Sequence, residues 1–308
     1  MKKFKKIIRA VLVLAVLAGL IYLIPKVITV VRLKRAADSY VAASSVSTFK
    51  DSKTTIIYDT NDQELCTMKN TKDMYYVSYQ EIPVTLVNSF VVMEDRQFYK
   101  HSGYDIKAIL RAIVINQKSN DIAQGASTIT QQLARNIFLS QEVTWQRKVE
   151  EIFIAVGLEK KYSKNQILEF YLNNIYFGNG YYGVEAAARG YFDKSVSELT
   201  LAEQTFIAAI PNNPTRYNPL TNYDNTVQRK NLILQQLYEA DDIGSLDRYM
   251  AETEEVVLNP HQTEEINNSV VTYARHCATE SLMSVSGFTF RYNFSSEDDY
   301  NAYEATYD

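Results

Sequence analysis

The spacing of apolar residues changes three times along the 308-residue chain. A nearly uncharged apolar stretch, residues 10–31, follows a cationic amino terminus. Residues 55–68 then alternate apolar and polar positions around a polar turn, which is typical of a β-hairpin. From about residue 75 to residue 240 the apolar residues recur at helical spacing and strand patterns are scarce. The pattern therefore predicts a mostly α fold, and no internal repeat is visible.

Polar residues with cap-forming side chains mark the starts of the predicted helices. Ser163 with Gln166, and Thr200 with Glu203, have the spacing of a capping box. In the segment ASTITQQLARNIFL, Ser127 precedes the apolar positions and is the predicted cap. These signals predict three separate helices.

The apolar stretch at residues 10–31 is long enough to cross roughly 30 Å of hydrocarbon. It carries one charge, Lys26, and the cationic residues Arg32, Lys34 and Arg35 follow it. Five cationic residues among the first nine still favour a cytoplasmic amino end. A cleavable signal peptide would have a shorter apolar region. We therefore predict an uncleaved single-pass anchor in the cell membrane, with the rest of the chain extracytoplasmic.

Composition excludes some classes of partner and leaves others open. A net charge of -4 gives no basic surplus, which argues against a nucleic-acid partner. Cys66 and Cys277 are too few for a metal cluster or a disulfide framework, although one bond between them stays open. The 23 Tyr suit a sugar-like ligand and suit a Tyr-rich core equally well.

The first candidate for chemistry is the segment EDRQFYKHSG. Glu94 and Asp95 close an apolar run, residues 87–93, and His101 follows shortly after. A buried charge without partners is costly, so such a cluster needs solvent, a partner or a function. The ordinary alternative is a helix that emerges into water at this point.

Two further polar segments lie downstream. QGASTITQQLARN contains small residues at a helix start, where free N–H groups favour anions, and Arg135 follows about two turns later. In RKVEE, Arg147 and Glu151 lie four residues apart on one helical face, beside Lys148. Taken singly, these segments are equally well explained by a capped polar helix and by a surface ion pair.

Taken in order, these segments resemble the glycosyltransferase domain of peptidoglycan polymerases, over about residues 75–219. This family comprises the monofunctional transglycosylases and the amino-terminal halves of class A penicillin-binding proteins. Five motifs match in the family's order. The first consists of Glu94, Asp95, Phe98, His101 and Gly103. The second consists of Gly125, Ser127, Thr128, Thr130, Gln131, Gln132 and Asn136. The third consists of Arg147, Lys148 and Glu151. The fourth and fifth are YLNNIYFGNGYYGVEAAARGYF and LTLAEQTFIAAIPNNPTRYNP. One departure is Arg135, where the family usually has Lys.

The resemblance implies a lysozyme-like, mostly α fold with a small membrane-facing jaw. It implies polymerisation of lipid II into glycan strands, with inversion at the anomeric carbon. Glu94 and Glu151 would be the catalytic residues, with Glu94 as the general base and Glu151 near the pyrophosphate. The implied substrate-binding residues are Asp95, His101, Arg111, Ser127, Thr128, Gln131, Gln132, Arg135, Asn136, Arg147 and Lys148.

The same resemblance sets expectations for cofactors and partners. We expect no tightly bound cofactor and no dedicated metal ligands, while a divalent cation, Mg or Mn, at the pyrophosphate stays open. The expected partners are lipid II, the growing glycan strand and the bilayer, and other cell-wall synthesis and division proteins stay open. Moenomycin-type phosphoglycolipids, which mimic the growing strand, are expected to bind the donor side.

The implied domain plan has four parts. Residues 1–35 form the cytoplasmic tail and anchor, 36–74 a stalk with the hairpin, and 75–240 the glycosyltransferase domain. Residues 241–308 resemble the helical linker of bifunctional members and the start of their next module.

Three alternative functions stay open from sequence. They are a truncated bifunctional penicillin-binding protein that lacks its transpeptidase domain, a non-catalytic cell-wall scaffold, and a hydrolase of the same polymer. The segment STFK, Ser47 to Lys50, has the Ser-x-x-Lys spacing of a penicillin-reactive site, but the Lys-Thr-Gly element of such a site is absent from the sequence. We interpret it as a chance match.

Overall fold

The computed structural model describes only part of the chain. The described residues are 2–50, 55–58, 60–61, 64–68, 73–111, 127–140, 142–260, 269–285, 287–291 and 293–307. The side chains of residues 2–21 and of both strands within 55–68 lie outside the description. The question of a disulfide between Cys66 and Cys277 therefore falls outside the described residues.

The chain divides into two compact units. The first comprises residues 1–53 and 71–261, and the second comprises residues 54–70 and 262–308. The predicted domain boundaries stay predictions.

Helices dominate the described residues, so the prediction of a mostly α fold is confirmed. Nine helices with described bounds belong to the first unit and two to the second. They are α1 (Lys2–Ala43), α2 (Val84–Glu94), α3 (Ile129–Phe138), α4 (Trp145–Lys161), α5 (Lys164–Asn174), α6 (Val184–Phe192), α7 (Leu201–Ala208), α8 (Tyr223–Glu239), α9 (Ser245–Thr253), α10 (Ser269–Val285) and α11 (Glu297–Tyr307). Residues 106–111 are also helical.

Short strands form two two-stranded sheets in the described chain. In the second unit, β1 (Thr55–Tyr58) pairs antiparallel with β2 (Glu64–Met68), as the alternation predicts. In the first unit, β3 (Asp73–Met74) pairs in parallel with β4 (Tyr181–Tyr182). Single 3-10 turns occupy Ser47–Phe49, Tyr79–Glu81 and Val196–Glu198.

The predicted capping boxes of α5 and α7 are confirmed. Ser163 Oγ accepts a hydrogen bond from the backbone N–H of Gln166, and the Gln166 side chain accepts one from the Ser163 N–H. Thr200 and Glu203 make the same reciprocal pair at α7. Each box satisfies two N–H groups that the helix start leaves without partners.

The predicted cap of α3 is wrong by one residue. Thr128, not Ser127, is the cap, because its Oγ1 accepts a hydrogen bond from the Gln131 N–H at 3.2 Å. Gln131 lies three residues after Thr128, and its Oε1 accepts from the Thr128 N–H at 3.0 Å. Ser127 has Thr130 at that position and cannot complete the box. The shift leaves the Ser127 hydroxyl available for another contact.

One apolar core runs through the first unit and holds the helices that carry the candidate residues. Helix α4 packs against α1 and α3, α3 also packs against α5, and α2 packs against α7 and α8. Fully buried side chains from these helices meet in this core, including Leu86, Leu133, Ile154, Leu172 and Phe206. The packing places the end of α2 beside the start of α3.

The loop after α2 lies against helix α4. Gly103 has φ +103°, and a Cβ at this position would lie 2.8 Å from the carbonyl carbon of Ala155. A side chain is therefore excluded on two grounds, the left-handed backbone and the close contact. The loop from Asp95 to Gly103 is consequently held close to the body of the unit.

The predicted membrane anchor is part of helix α1. The side chains of residues 10–21 lie outside the described part, and residues 22–43 include four cationic residues and Asp38. Within the described residues, no helix has both the length and the apolar character needed to span a bilayer. The predicted anchor, residues 10–31, extends beyond the described side chains and stays a prediction.

Candidate active site

Two adjacent carboxylates lie at the end of α2. Glu94 is the last residue of the helix and is half-buried, while Asp95 is its C-cap and is buried. The apolar residues before them, including Phe90 and Val91, are buried in the core. The apolar run therefore carries both carboxylates to the edge of the core, where one faces a cleft and the other faces inward.

The Glu94 carboxylate is held from two other helices. Its Oε2 accepts a hydrogen bond from Gln132 Nε2 of α3 at 3.0 Å. Gln132 Oε1 in turn accepts from the Tyr171 hydroxyl of α5 at 3.3 Å. Burial, together with the charge of Glu94, raises the pKa of the Tyr171 hydroxyl well above its usual range, so it remains a donor. This chain of contacts orients the carboxylate.

Asp95 and His101 form a buried pair beneath Glu94. Asp95 Oδ2 accepts from His101 Nε2 at 2.8 Å and from the Ile129 N–H of α3 at 3.0 Å. The Gly103 N–H donates to His101 Nδ1 at 3.1 Å, so Nδ1 acts as an acceptor and Nε2 carries the proton. The imidazole thus joins the loop to α2 and α3.

Thr128 and Gln131 also bind the loop to α3. Thr128 Oγ1 donates to the Gly103 carbonyl at 2.8 Å while it caps the helix. Gln131 is buried in the capping box, and its Nε2 has no partner among the described residues. Thr128 therefore stabilises the junction between the loop and α3, and Gln131 supports Thr128 through the capping box.

Glu94 faces a cleft of about 540 Å³ with several cationic side chains. Four guanidinium-bearing residues line it: Arg96, Arg111, Arg135 and Arg229. A neighbouring cleft of about 650 Å³ is lined by aromatic and amide side chains, including Tyr176, Tyr182 and Asn174. The two clefts share Gln132, Arg135 and Pro211. The arrangement can hold an anionic ligand and a sugar-like ligand side by side.

Lys148 lies beside the first cleft, at the start of α4. Its Nζ donates to Ser127 Oγ, which lines that cleft, at 2.6 Å, and to Glu151 Oε1. Glu151 is fully buried, and its Oε2 has no partner among the described residues. Glu151 therefore holds the Lys148 ammonium group beside the cleft through Oε1, while Oε2 remains without a described partner.

The structure brings most of the predicted site residues together. Glu94, Asp95, Arg111, Ser127, Thr128, Gln132 and Arg135 line the first cleft, and Arg135 and Asn136 line the second. His101, Gln131, Arg147, Lys148 and Glu151 line neither cleft. Of these, Lys148 reaches the first cleft through Ser127, and Glu151 reaches it through Lys148.

Several residues of the site were not predicted as site residues. Tyr171 lies in the segment YLNN, which belongs to the fourth motif, so its motif was the available signal. Arg96 lies inside the first motif. Arg229 comes from α8, far along the chain from the other motifs, and no local pattern indicates it.

The described residues around Glu151 offer few ligands for a metal ion. Within the described ranges, no group of three or more His, Cys, Asp or Glu side chains could hold one. Glu151 offers one unpartnered oxygen, but the Lys148 ammonium occupies the other. A divalent ion would fit here only if a ligand's phosphate oxygens supplied most of its coordination.

Comparison with known proteins identifies relatives of this chain. Penicillin-binding protein 4 of Bacillus subtilis (strain 168) is 43% identical over 215 residues, which cover 70% of this chain and 34% of that protein. Penicillin-binding protein 1A of Escherichia coli (strain K12) is 42% identical over 222 residues, covering 71% of this chain and 26% of that protein. The chain thus spans about a third or less of the length of these relatives.

A solved structure is also similar. The 2.6 Å crystal structure of penicillin-binding protein 1A from Haemophilus influenzae aligns with a TM-score of 0.40 and 20% identity, over 74% of this chain and 24% of that chain. Similarity at this level is too low to establish a shared fold.

The match to a family model is the decisive comparison. The model described as Transglycosylase matches residues 61–238, more than half of the chain. All the residues that line the first cleft fall inside this range. The chain belongs to the transglycosylase family.

Proposed function

We propose that the chain is a peptidoglycan glycosyltransferase that polymerises lipid II into glycan strands with inversion at the anomeric carbon. The observation that carries the proposal is the position of Glu94, a half-buried carboxylate that faces a cleft with four guanidinium-bearing residues. A base and a cluster of cations in one cleft suit a reaction in which a hydroxyl attacks and a pyrophosphate leaves.

In the proposed reaction, Glu94 removes the proton of the acceptor's sugar hydroxyl as that oxygen attacks the donor's anomeric carbon. A new glycosidic C–O bond forms, and the bond from that carbon to the pyrophosphate oxygen breaks. The proton ends on Glu94 and the electron pair of the broken bond leaves with the pyrophosphate. A single displacement of this kind inverts the anomeric centre and needs no covalent intermediate.

The contacts of Glu94 suit this role. Gln132 donates to only one of its oxygens, so the other remains available to accept a proton. Its position at the end of α2 places the carboxylate in the lining of the first cleft.

The cations are assigned to the leaving group. Arg111, Arg135 and Lys148 lie in or beside the first cleft and would stabilise the charge that develops on the pyrophosphate. Glu151 would orient Lys148 and would be the one protein ligand for a divalent ion that arrives with the pyrophosphate. Three further residues would act on the reaction indirectly, because their contacts stabilise the junction between the loop and α3. They are His101, Thr128 and Gln131.

The wider setting is also a proposal. Lipid II carries a long lipid, so we propose that the chain acts at a membrane surface, with its catalytic unit outside the cytoplasm. The support is the cationic amino terminus followed by the apolar residues 10–31. The relatives carry the name penicillin-binding protein, and the match covers only 34% and 26% of their lengths, which supports the alternative that a penicillin-reactive part belongs to a longer form.

Incubation of the purified chain with labelled lipid II tests the proposed function. We expect a ladder of glycan strands on a gel, which the wild-type chain should produce without another protein. Shortened strands from preformed glycan would instead indicate a hydrolase, and no turnover would favour a scaffold. Either result would contradict the proposal.

Replacement of Arg135 tests the anion contact. Arg135 lines both clefts, so Arg135→Ala is expected to lower the rate of strand synthesis by roughly 10- to 100-fold through lost stabilisation of the leaving group. Arg135→Lys should retain most of the rate, since it keeps the charge and the family usually has Lys there. Normal synthesis by Arg135→Ala would remove this residue from the pyrophosphate site.

We expect no covalent labelling of this chain by fluorescent penicillin. Ser47 and Lys50 have the spacing of a nucleophile and its base, but the Ser47 hydroxyl pairs with the Ser45 hydroxyl at 2.6 Å. Lys50 Nζ lies 4.3 Å above the Tyr76 ring and 4.0 Å from Glu169. The ammonium group is therefore engaged elsewhere and does not activate the serine. A labelled band that disappears in Ser47→Ala would contradict this expectation.

A further inference from the structure

A second cluster of charged side chains lies against the loop after α2, and its members have not been assigned a role in the proposed reaction. Its members are Glu159 near the end of α4 and Lys164 at the start of α5. Lys164 Nζ donates to Glu159 Oε1 at 2.7 Å, and the side chains are 23% and 5% exposed. A pair this deeply placed needs further partners to offset its lost hydration.

Those partners come from the elements that build the active site. Thr130 Oγ1 of α3 donates to Glu159 Oε1 at 2.6 Å. Lys164 Nζ also donates to the His101 carbonyl at 2.8 Å and lies 4.2 Å above the Phe98 ring. The pair thus contacts the loop after α2 at two points and α3 at one.

The contacts lead from this pair to the proposed base. Glu159 Oε1 lies 4.0 Å from His101 Nδ1, on the opposite side of the ring from Asp95. Asp95 follows Glu94 directly and accepts from the Ile129 N–H of α3, the helix that also carries Gln132. A change in the position of His101 would therefore alter the alignment of Glu94 with Gln132.

The pair also balances the charge around the imidazole. The charged groups described around His101 are Asp95 from α2, Glu159 from α4 and Lys164 from α5, while α3 contributes the Ile129 N–H and the Thr130 hydroxyl. Lys164 pairs with Glu159, the carboxylate that lies 4.0 Å from His101 Nδ1, and Nδ1 accepts the Gly103 N–H.

We propose that Glu159 and Lys164 are positioning residues for the glycosyl transfer, acting through His101 to align Glu94. The inference rests on the proposed function, because it assigns the pair to that reaction. Neither residue lines a cleft, so neither is expected to contact substrate.

The chain offers a matched pair for comparison. Lys194 Nζ donates to Glu203 Oε1 at 2.6 Å, and Glu203 is 8% exposed at the side chain, close to the 5% of Glu159. Neither residue lines a cleft or contacts the loop after α2 in the described structure. Lys194→Met therefore removes a cation from a similar pair without disturbing His101.

Kinetics with lipid II are the first test. Lys164→Met is expected to lower kcat by roughly 10- to 100-fold, the size of effect that a misplaced catalytic group produces, with KM changed less than threefold. Lys164→Arg should recover most of kcat, and Lys194→Met should leave kcat unchanged at a similar loss of Tm. If Lys164→Met does not fold, the nearly isosteric Glu159→Gln takes its place.

Nitrogen NMR of the histidines is the second test and needs no turnover. The chain has three histidines, His101, His261 and His276, so the signals of a ¹⁵N-histidine sample can be assigned by single replacement. In the wild-type chain we expect His101 to carry its proton on Nε2. Lys164→Met and Glu159→Gln should each shift the ring-nitrogen signals of His101, because each changes a group that contacts His101 or lies beside its ring, while Lys194→Met should leave these signals in place.

The two tests separate the inference from the proposed function. Strand synthesis by the wild-type chain with unchanged kcat in Lys164→Met and Glu159→Gln would overturn the inference alone. No synthesis by the wild-type chain would overturn the proposed function, and the histidine spectra would still decide whether the pair controls the position of His101. His101 signals that are the same in both variants as in the wild-type chain, or that shift equally in Lys194→Met, would overturn the inference.

Discussion

Replacing Glu94 by glutamine is expected to lower strand synthesis by roughly 10²–10⁴-fold while the protein remains folded, because a general base contributes a factor of that size. The amide cannot accept the proton of the acceptor hydroxyl. It can still accept the hydrogen bond that Gln132 Nε2 donates to Glu94 Oε2, so the local contacts have a neutral replacement. The measurement is the initial rate of lipid II polymerisation, together with Tm by calorimetry.

A matched variant controls for the loss of one carboxylate. Glu142→Gln makes the same chemical change at an exposed position outside both clefts, and we expect it to retain the wild-type rate. A second check is the affinity for moenomycin, which does not require a base and should change little in Glu94→Gln. A wild-type rate in Glu94→Gln, with unchanged Tm, would remove Glu94 from the proposed role.

Local signals predicted the helices well because each depends on neighbours in sequence. The capping boxes of α5 and α7 need only a polar residue and a Gln or Glu three positions later, and both were predicted. The cap of α3 was placed one residue early, because Ser127 and Thr128 are both good caps. Gln131 lies three positions after Thr128, so the capping-box rule applied to the sequence would have chosen Thr128.

The inward-facing roles of several predicted residues could not be read from the motifs. A motif indicates that His101 and Gln131 belong to the site, but the structure places His101 in the contact between the loop and α2 and Gln131 in the cap of α3. Whether a polar side chain faces a ligand or a neighbouring helix depends on the packing of elements that are distant in sequence. The contact between Gly103 and α4 is one example of such packing, because it fixes the distance between the loop and the helix.

The unpredicted residues share one property, which is that their contacts are long-range. Tyr171 reaches Glu94 through Gln132, so it acts across three helices. Arg229 lies on α8, near the carboxyl-terminal end of the family match, and lines the first cleft together with residues from the amino-terminal part of that match. A single sequence offers no periodicity or spacing that links such positions. A buried tyrosine in a helix is ordinarily assigned to the core, and Tyr171 is indeed fully buried.

Replacement of Lys148 by methionine is expected to lower strand synthesis by roughly 10²–10³-fold, since it removes a cation aimed at the developing charge of the leaving group. Lys148 Nζ contacts Ser127 Oγ and Glu151 Oε1, and Glu151 has no other described partner. The same change leaves a buried carboxylate unpaired, so unfolding should also become easier by about 1–3 kcal/mol. The loss is smaller than for a fully buried pair because the Lys148 side chain is 40% exposed.

The double variant Lys148→Met with Glu151→Gln separates these two effects. It removes the unpaired buried charge, so the stability should return towards the wild-type value, while the rate should stay low because the cation is still missing. Lys148→Arg keeps the charge and should retain part of the rate. The measurements are the initial rate with lipid II, the affinity for fluorescent moenomycin and the free energy of unfolding in urea. If the double variant regained both stability and rate, Lys148 would serve only to neutralise Glu151, and the assignment of this cation to the pyrophosphate would be wrong.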